Sequence, residues 1–399
     1  MSATSPLGAA GALGIALLTI ALLQRRFGGT PPARQFATLD GLRGYAAFLV
    51  YLHHTAIWYF FARTGVWALP PTRLYTHFGQ SSVAIFFMIT GFLFWTKLLD
   101  GRARPIDWRR LYVSRVLRLA PLFIVFVALL WTMALATSGF QLRVSAPRAI
   151  FGTLQWLTFT AAGMPDLNRA PTSLIGGPAW SLPYEWWFYL SLPVTGLLVG
   201  LRPSRVYLIL SLVGAAGGAW WVTNRGGWHV AAAFLGGIAS ALLVRQPRIR
   251  AVARHPIVSI VCLGALAAVT RFETAFAPAP LLFLSLAFAT IACGNTLFGS
   301  LEWPAARVLG DVGYSLYLLH GLVLFAVFAL CLGPVETAAL GTAGHWLVVY
   351  VCAAIVTVLS YATFRVIEAP AMASVDRVTA LVASSARIPA DTWVGRDTK

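Results

Sequence analysis

Eleven long apolar runs, each close to the roughly twenty residues that a bilayer requires, are separated by short segments that hold most of the charge. They fall at about 6–24, 43–62, 79–98, 119–138, 179–201, 206–222, 227–244, 255–271, 275–298, 313–333 and 344–367. Charged residues make up only 11% of the chain, against about a quarter in a soluble domain. A large soluble core cannot account for runs of this length. The expected fold is all-α: a polytopic integral membrane protein of about 11 transmembrane helices. The segment 147–162 is apolar but short, and is expected to form an interfacial helix in a long loop.

A net charge of +17 raises the question of nucleic acid. The basic residues form no continuous stripe, however. They sit in short loops between apolar runs, which excludes that class and makes them markers of topology. The start, MSATSPLGAA, has no positive n-region, and Arg25–Arg26 follow the first run, so an uncleaved helix with its N-terminus outside is expected. Alternation from that start places 23 of the 30 basic residues inside, Arg34 and four in the tail among them. The expected orientation is N-outside and C-cytoplasmic, in a bacterial inner membrane. Trp180, Trp186, Trp220, Trp221, Trp228 and Trp346 fall near outer ends, as aromatic belts do. Cys262, Cys293, Cys331 and Cys352 lie in apolar runs without ligand spacing, so neither metal nor disulfide is expected, only buried thiols.

The stretch TLDGLRGYAAFLVYLHHTAI, residues 38–57, departs from the lipid pattern. Arg43 and His54 are eleven residues apart, about three helical turns and about 16 Å, and return to within about 20° of one face. His53 points about 100° away and is read as structural. Arg43 would stand at the cytoplasmic mouth and His54 near the bilayer middle. A polar ring there is costly, so it is expected to face an internal cavity and to mark function.

This segment resembles the first signature of the membrane-bound acyltransferase-3 family, LDGLRG…H with ten residues between arginine and histidine. Five more segments resemble the family's motifs in order: SVAIFFMITGFLF, with Thr90 where serine is usual; WRRLYVSRVLRLAPLF; GPAWSLPYEWWFYL; LGDVGYSLYLLHGLV, with Gly313 for the first serine; and FRVIEAP. The resemblance implies a ten-helix core over residues 39–370, preceded by an extra N-terminal helix and linker (1–38) and followed by a cytoplasmic tail (371–399).

It also implies transfer of an acyl group, most often acetyl, from cytoplasmic acyl-CoA as co-substrate to a hydroxyl, with no permanently bound cofactor. A glycan or lipid-linked glycan at the cell surface is the expected acceptor. CoA carries several phosphates, which arginine forks bind well. Arg43, Arg115 and Arg118 are therefore the expected donor-binding cations, with Tyr317 lining the passage and His320 either lining it or buttressing His54. His54 is the expected general base or, alternatively, an acyl-carrying nucleophile. Asp40, one turn before Arg43, is expected to orient it. Glu185, inside the fifth run near the outer face, is expected to bind acceptor hydroxyls or orient a base, and Trp180 to stack on a sugar. Thr90 and Gly91 are expected to let helices approach closely. Arg365 and Glu368, three apart, are expected to form a local ion pair. Two rivals remain: a proton-coupled transporter of a small anion or glycan, and an acyltransferase acting on a cytoplasmic small molecule.

Overall fold

The computed structural model describes residues 2–28 and 35–385; Arg34 and the tail beyond Ser385 lie outside the described residues. All regular elements among the described residues are helical. They are α1 (Pro6–Phe27), α2 (Ala37–Thr64), α3 (Arg73–Asp100), α4 (Trp108–Ala136), α5 (Ala146–Leu157) and α6 (Thr172–Gly176). A 3₁₀ turn (Gly177–Ser181) leads into α7 (Leu182–Leu198), followed by α8 (Arg205–Asn224), α9 (Trp228–Ala231), α10 (Ala233–Leu243), α11 (Pro247–Ala253), α12 (Pro256–Val269) and α13 (Pro278–Ala292). The last third holds α14 (Pro304–Asp311), α15 (Gly313–Phe325), α16 (Pro334–Ala339), α17 (Thr342–Thr363), α18 (Ala369–Ala373) and α19 (Val375–Ser385).

Each of the eleven apolar runs contains helix, but among the described residues six helices are long and apolar enough to cross a membrane alone, or seven if a bent pair counts as one. The protein is a polytopic helical membrane protein. Large apolar side chains such as Leu18, Ile209, Leu212 and Leu282 are exposed around the outside, where lipid would cover them. The shorter helices include α12, with 14 residues, and α13, with 15. α10 turns into α11 through 110°. α2 is long enough at 28 residues but is not among the six, because its histidine pair and other polar side chains lower its mean hydropathy.

That polarity is tolerable because α2 is the central helix. Phe48, Tyr51 and Leu52 enter one apolar core with α4, α15 and α17. Leu42, Ala46 and Val50 enter another with α3, α10 and α13. The seam between α2 and α14 is close enough that a Cβ at Gly310 would lie 1.9 Å from the Asp40 carbonyl oxygen. Gly91 of α3 likewise faces the Phe234 carbonyl of α10, as a small residue between packed helices should.

The N-terminal helix is docked, not peripheral. Ser5 caps it by accepting from the Gly8 amide, and Pro6 occupies the first turn. Ala9, Ala12, Ala16 and Ile20 repeat every three or four residues and bury a stripe against the bundle, chiefly α17. The Tyr75 hydroxyl donates to the Ser5 carbonyl, and Trp346 Nε1 to that of Ser2. Near 147–162 the expected helix forms as α5, with Ile150, Phe151 and Leu154 exposed.

Two expectations are corrected. Cys331 is exposed at the end of a π-helical turn (Ala326–Cys331), while the other three cysteines are buried. Arg365 and Glu368 do not pair. The end of α17 winds as a π-helix (Phe364–Glu368), and this wider i→i+5 coil separates residues that an α-helix would stack. Glu368 turns inward, fully buried, and Arg365 turns outward to the Phe27 carbonyl and the Tyr361 hydroxyl.

Candidate active site

The start of α2, the end of α3, the start of α4, the start of α15 and the end of α17 meet at one end of the bundle. Between them lies a cavity of about 320 Å³. Arg43, Arg115 and Arg118 all line it, with Thr90, Glu185, Tyr189, Tyr314 and Tyr317. Its remaining wall is largely apolar, including Phe86, Ile89, Leu93, Leu119 and Leu182. Three guanidinium groups in a largely apolar wall that also holds Glu185 and Asp311 suit a ligand with an anionic head and an uncharged tail.

The cations are held individually. Arg43 Nη1 lies 3.3 Å from Asp40 Oδ1, one turn back on α2. Arg118 Nη1 lies 3.5 Å from Glu368 Oε2 and Arg118 Nη2 donates to the Asp311 carbonyl at 3.3 Å. Ser315 donates in turn to Glu368. Arg115 faces Phe94 at 5.3 Å from the ring centre, and its buried Nε has no hydrogen-bond partner among the described residues. A buried donor without a partner is costly, which marks this wall as one built for a ligand acceptor.

Glu185 lies in the same cavity as these arginines and accepts from the Tyr189 hydroxyl at 2.7 Å. It was expected with Trp180 near the outer face. α7 begins only at Leu182, after the 3₁₀ turn, so the carboxylate points back into the arginine cavity. Trp180 is not part of the cavity wall and packs edge-on against Tyr184, ring centres 5.9 Å apart. Thr90 lines the cavity, so close helix approach falls to Gly91.

Tyr317 is one of the lining residues. The Tyr317 hydroxyl donates to the Pro178 carbonyl at 2.7 Å and lies 2.8 Å from Ser181 Oγ. One turn further along α15 is His320, fully buried, its ring centre 6.2 Å from that of Tyr317. His320 Nε2 is 3.2 Å from Nδ1 of His54, which is only partly buried and is not part of the cavity wall. Arg43 and His54 thus share a helix, but Tyr317 and Ser181 are in the cavity wall while both histidines are outside it.

The histidine pair has a defined polarity. His54 Nδ1 is 2.9 Å from the Val50 carbonyl, and His320 Nδ1 is 3.0 Å from the Leu316 carbonyl, each four residues back on its own helix. A carbonyl only accepts, so in each neutral ring Nδ1 carries the proton. The His54 Nδ1–H is then shared between Val50 and the His320 Nε2 lone pair. His54 Nε2 keeps its own lone pair, available as a base or nucleophile. His53 is tied elsewhere: Nδ1 lies 2.8 Å from the Tyr75 carbonyl and the ring packs on Gly79.

Sequence reasoning missed Ser181 and the Arg118–Glu368–Ser315 chain. Ser181 sits in the quoted GPAWSLPYEWWFYL segment, where Trp180 and Glu185 drew attention instead. The chain joins residues 118, 315 and 368 by tertiary packing, and no spacing signals it.

A family model described as an acyltransferase domain matches residues 36–365. Nodulation protein 10 of Rhizobium leguminosarum bv. viciae is 25% identical over 374 residues, covering 84% of this chain and 92% of that protein. Acyltransferase MdmB of Streptomyces mycarofaciens is 28% identical over 183 residues, 44% of this chain and 43% of that protein. No solved structure matches.

Proposed function

The chain belongs to the acyltransferase-3 family and is a membrane acyltransferase, and from that premise we propose that it moves an acyl group, acetyl in the first instance, from cytoplasmic acyl-CoA to a hydroxyl of a cell-surface or exported glycan, free or lipid-linked. The observation that carries this reading is an arginine-lined cavity whose Tyr317 lies one helical turn from His320 of the histidine pair. In this reading the cavity opens to the cytoplasm, the N-terminus lies outside and the C-terminus inside a bacterial inner membrane. The apolar runs that are too short to span alone cross as part of an eleven-span bundle.

Arg43, Arg115 and Arg118 bind the phosphates of CoA, and Asp40 holds Arg43 in place. The thioester end runs down the apolar wall past Thr90 and Glu185 towards Tyr317. His54 Nε2 takes the proton of the acceptor hydroxyl as its oxygen attacks the thioester carbonyl. The C–O bond forms, the C–S bond breaks, and the proton passes to the leaving thiolate, releasing free CoA. Glu185 and Trp180 are the acceptor-side candidates, Glu185 being the one that lines the cavity. A second reading has its own observation: His54 is partly exposed yet outside the donor cavity. An acyl-imidazole on Nε2 would carry the group past the Tyr317–Ser181 contact.

The test is a titration of acetyl-CoA onto purified, folded protein. Arg43→Ala and Arg115→Ala should each weaken binding about tenfold, the loss of one charge-assisted hydrogen bond. Unchanged affinity in both would remove the cavity from the donor site. Mass analysis of the His54 peptide after incubation with donor alone separates the two histidine roles, since only the relay adds an acyl group.

A further inference from the structure

A second cavity, of about 640 Å³, lies at the same end of the bundle. Phe94 and Thr96, two residues apart on α3 and so on opposite sides of that helix, line the first and second cavities respectively. The second is walled by residues 35–38, the end of α3, the loop after α13 and the arginines around α11. Nothing in the acyl-transfer scheme uses it.

Its wall is more basic than acidic, with Asp100 and Glu302 as its two carboxylates. Arg245, Arg250 and Arg254 all line it. Arg245 is bonded to Asp100. Arg250 and Arg254, four residues apart, have neither a carboxylate nor a hydrogen-bond acceptor for their side chains among the described residues. Thr96 is 8% exposed, and its buried hydroxyl likewise has no partner there. The loop that closes the cavity makes room for one of these cations: Gly294 has φ +105, and a Cβ on it would lie 2.9 Å from Arg254 Nε. Two unpaired guanidinium forks and a hydroxyl are donors in search of several acceptor oxygens, which a phosphate group supplies. Glu302 is the opposing carboxylate in the wall.

Part of the cavity wall is α11. This helix leaves the direction of α10 by 110°, and Ile249 and Val252 on it are exposed. A short helix that exposes apolar side chains beside cavity-lining arginines belongs at the level of lipid headgroups. We propose that the α11 cavity binds a phosphate group at the membrane surface, that of an anionic phospholipid or of a free phosphate compound.

Native mass spectrometry of the full-length protein in detergent tests this with three probes: phosphatidylglycerol, phosphatidylcholine and inorganic pyrophosphate. Wild type should retain phosphatidylglycerol over phosphatidylcholine if the source is lipid, or bind pyrophosphate if it is free phosphate. In either case the Arg250→Ala/Arg254→Ala double variant should lose about tenfold or more in affinity. Both side chains are exposed, so the variant is expected to fold. Arg248→Ala, on the same helix but outside the cavity wall, should bind as wild type, and Glu302→Gln should bind more tightly. Binding unchanged in the double variant, or lost equally in Arg248→Ala, overturns the proposal, as does a wild type that binds none of the probes preferentially. The readout involves no acyl transfer, so it stands or falls independently of the proposed reaction.

Discussion

His320 should act on the reaction only through His54, and the geometry sets how large its effect can be. The His54 Nδ1–H is shared between the Val50 carbonyl at 2.9 Å and His320 Nε2 at 3.2 Å. Replacing His320 with Phe removes the second acceptor and leaves the first. The loss is then one neutral side-chain hydrogen bond inside a membrane protein, about 0.6–1.7 kcal/mol. If that bond orients the ring in the transition state, initial rates should fall by about 3- to 20-fold. Removing the proposed base, in His54→Ala, should cost about 10²- to 10⁴-fold. His320→Gln restores an acceptor oxygen and should recover part of the rate. The assay is release of free CoA thiol from acetyl-CoA by protein that elutes as a single folded species. A His320→Phe loss as deep as that of His54→Ala would make His320 a reacting group and refute the assignment. A rate equal to wild type would mean that the contact does not hold the ring.

Other consequences concern stability and selectivity. Glu368→Ala leaves the Arg118 guanidinium without its carboxylate and the Ser315 hydroxyl without its acceptor, so unfolding in detergent should come earlier, by about 3 kcal/mol; an unchanged melting curve would contradict the pair. Glu368→Gln, which keeps an acceptor for Ser315, should melt between the two. Gly310→Leu drives a side chain into the Asp40 carbonyl, so α14 cannot seat against α2; normal yield of monodisperse protein from this variant would refute the close seam. His53→Ala should keep most of the transfer rate, because that ring is turned to the Tyr75 carbonyl and not to His320; a loss matching that of His54→Ala would reverse the assignment of faces.

What could be read in the sequence was what is carried by single helices. The Asp40–Arg43 turn and the apolar runs depend only on helical period and length, and the structure keeps Asp40 beside Arg43; the eleven-residue interval puts Arg43 and His54 on one helix, but of the two only Arg43 lines the cavity. What failed depended on departures from that period or on distant packing. Arg365 and Glu368 were paired on α-helical spacing, and the π-helical turn separates them. Glu185 was assigned to the outer face by counting along an apolar run, but the 3₁₀ turn before α7 delays the helix and points the carboxylate into the arginine cavity. His320 was expected either to line the passage or to buttress His54; the structure has the second, by α2–α15 packing between partners 266 residues apart, and leaves His320 off the cavity wall. The 110° bend at α10–α11 has its signal in Pro247, yet a proline marks only where a helix starts or stops, not the direction of the next.

The most direct test of the central claim is release of free CoA thiol by purified wild type and His54→Ala, each given acetyl-CoA with and without extracted cell-surface glycan. The account predicts glycan-dependent release by wild type that falls by about 10²-fold or more in the variant. Release that is equal in wild type and His54→Ala would contradict it, and would take the histidine pair out of the reaction.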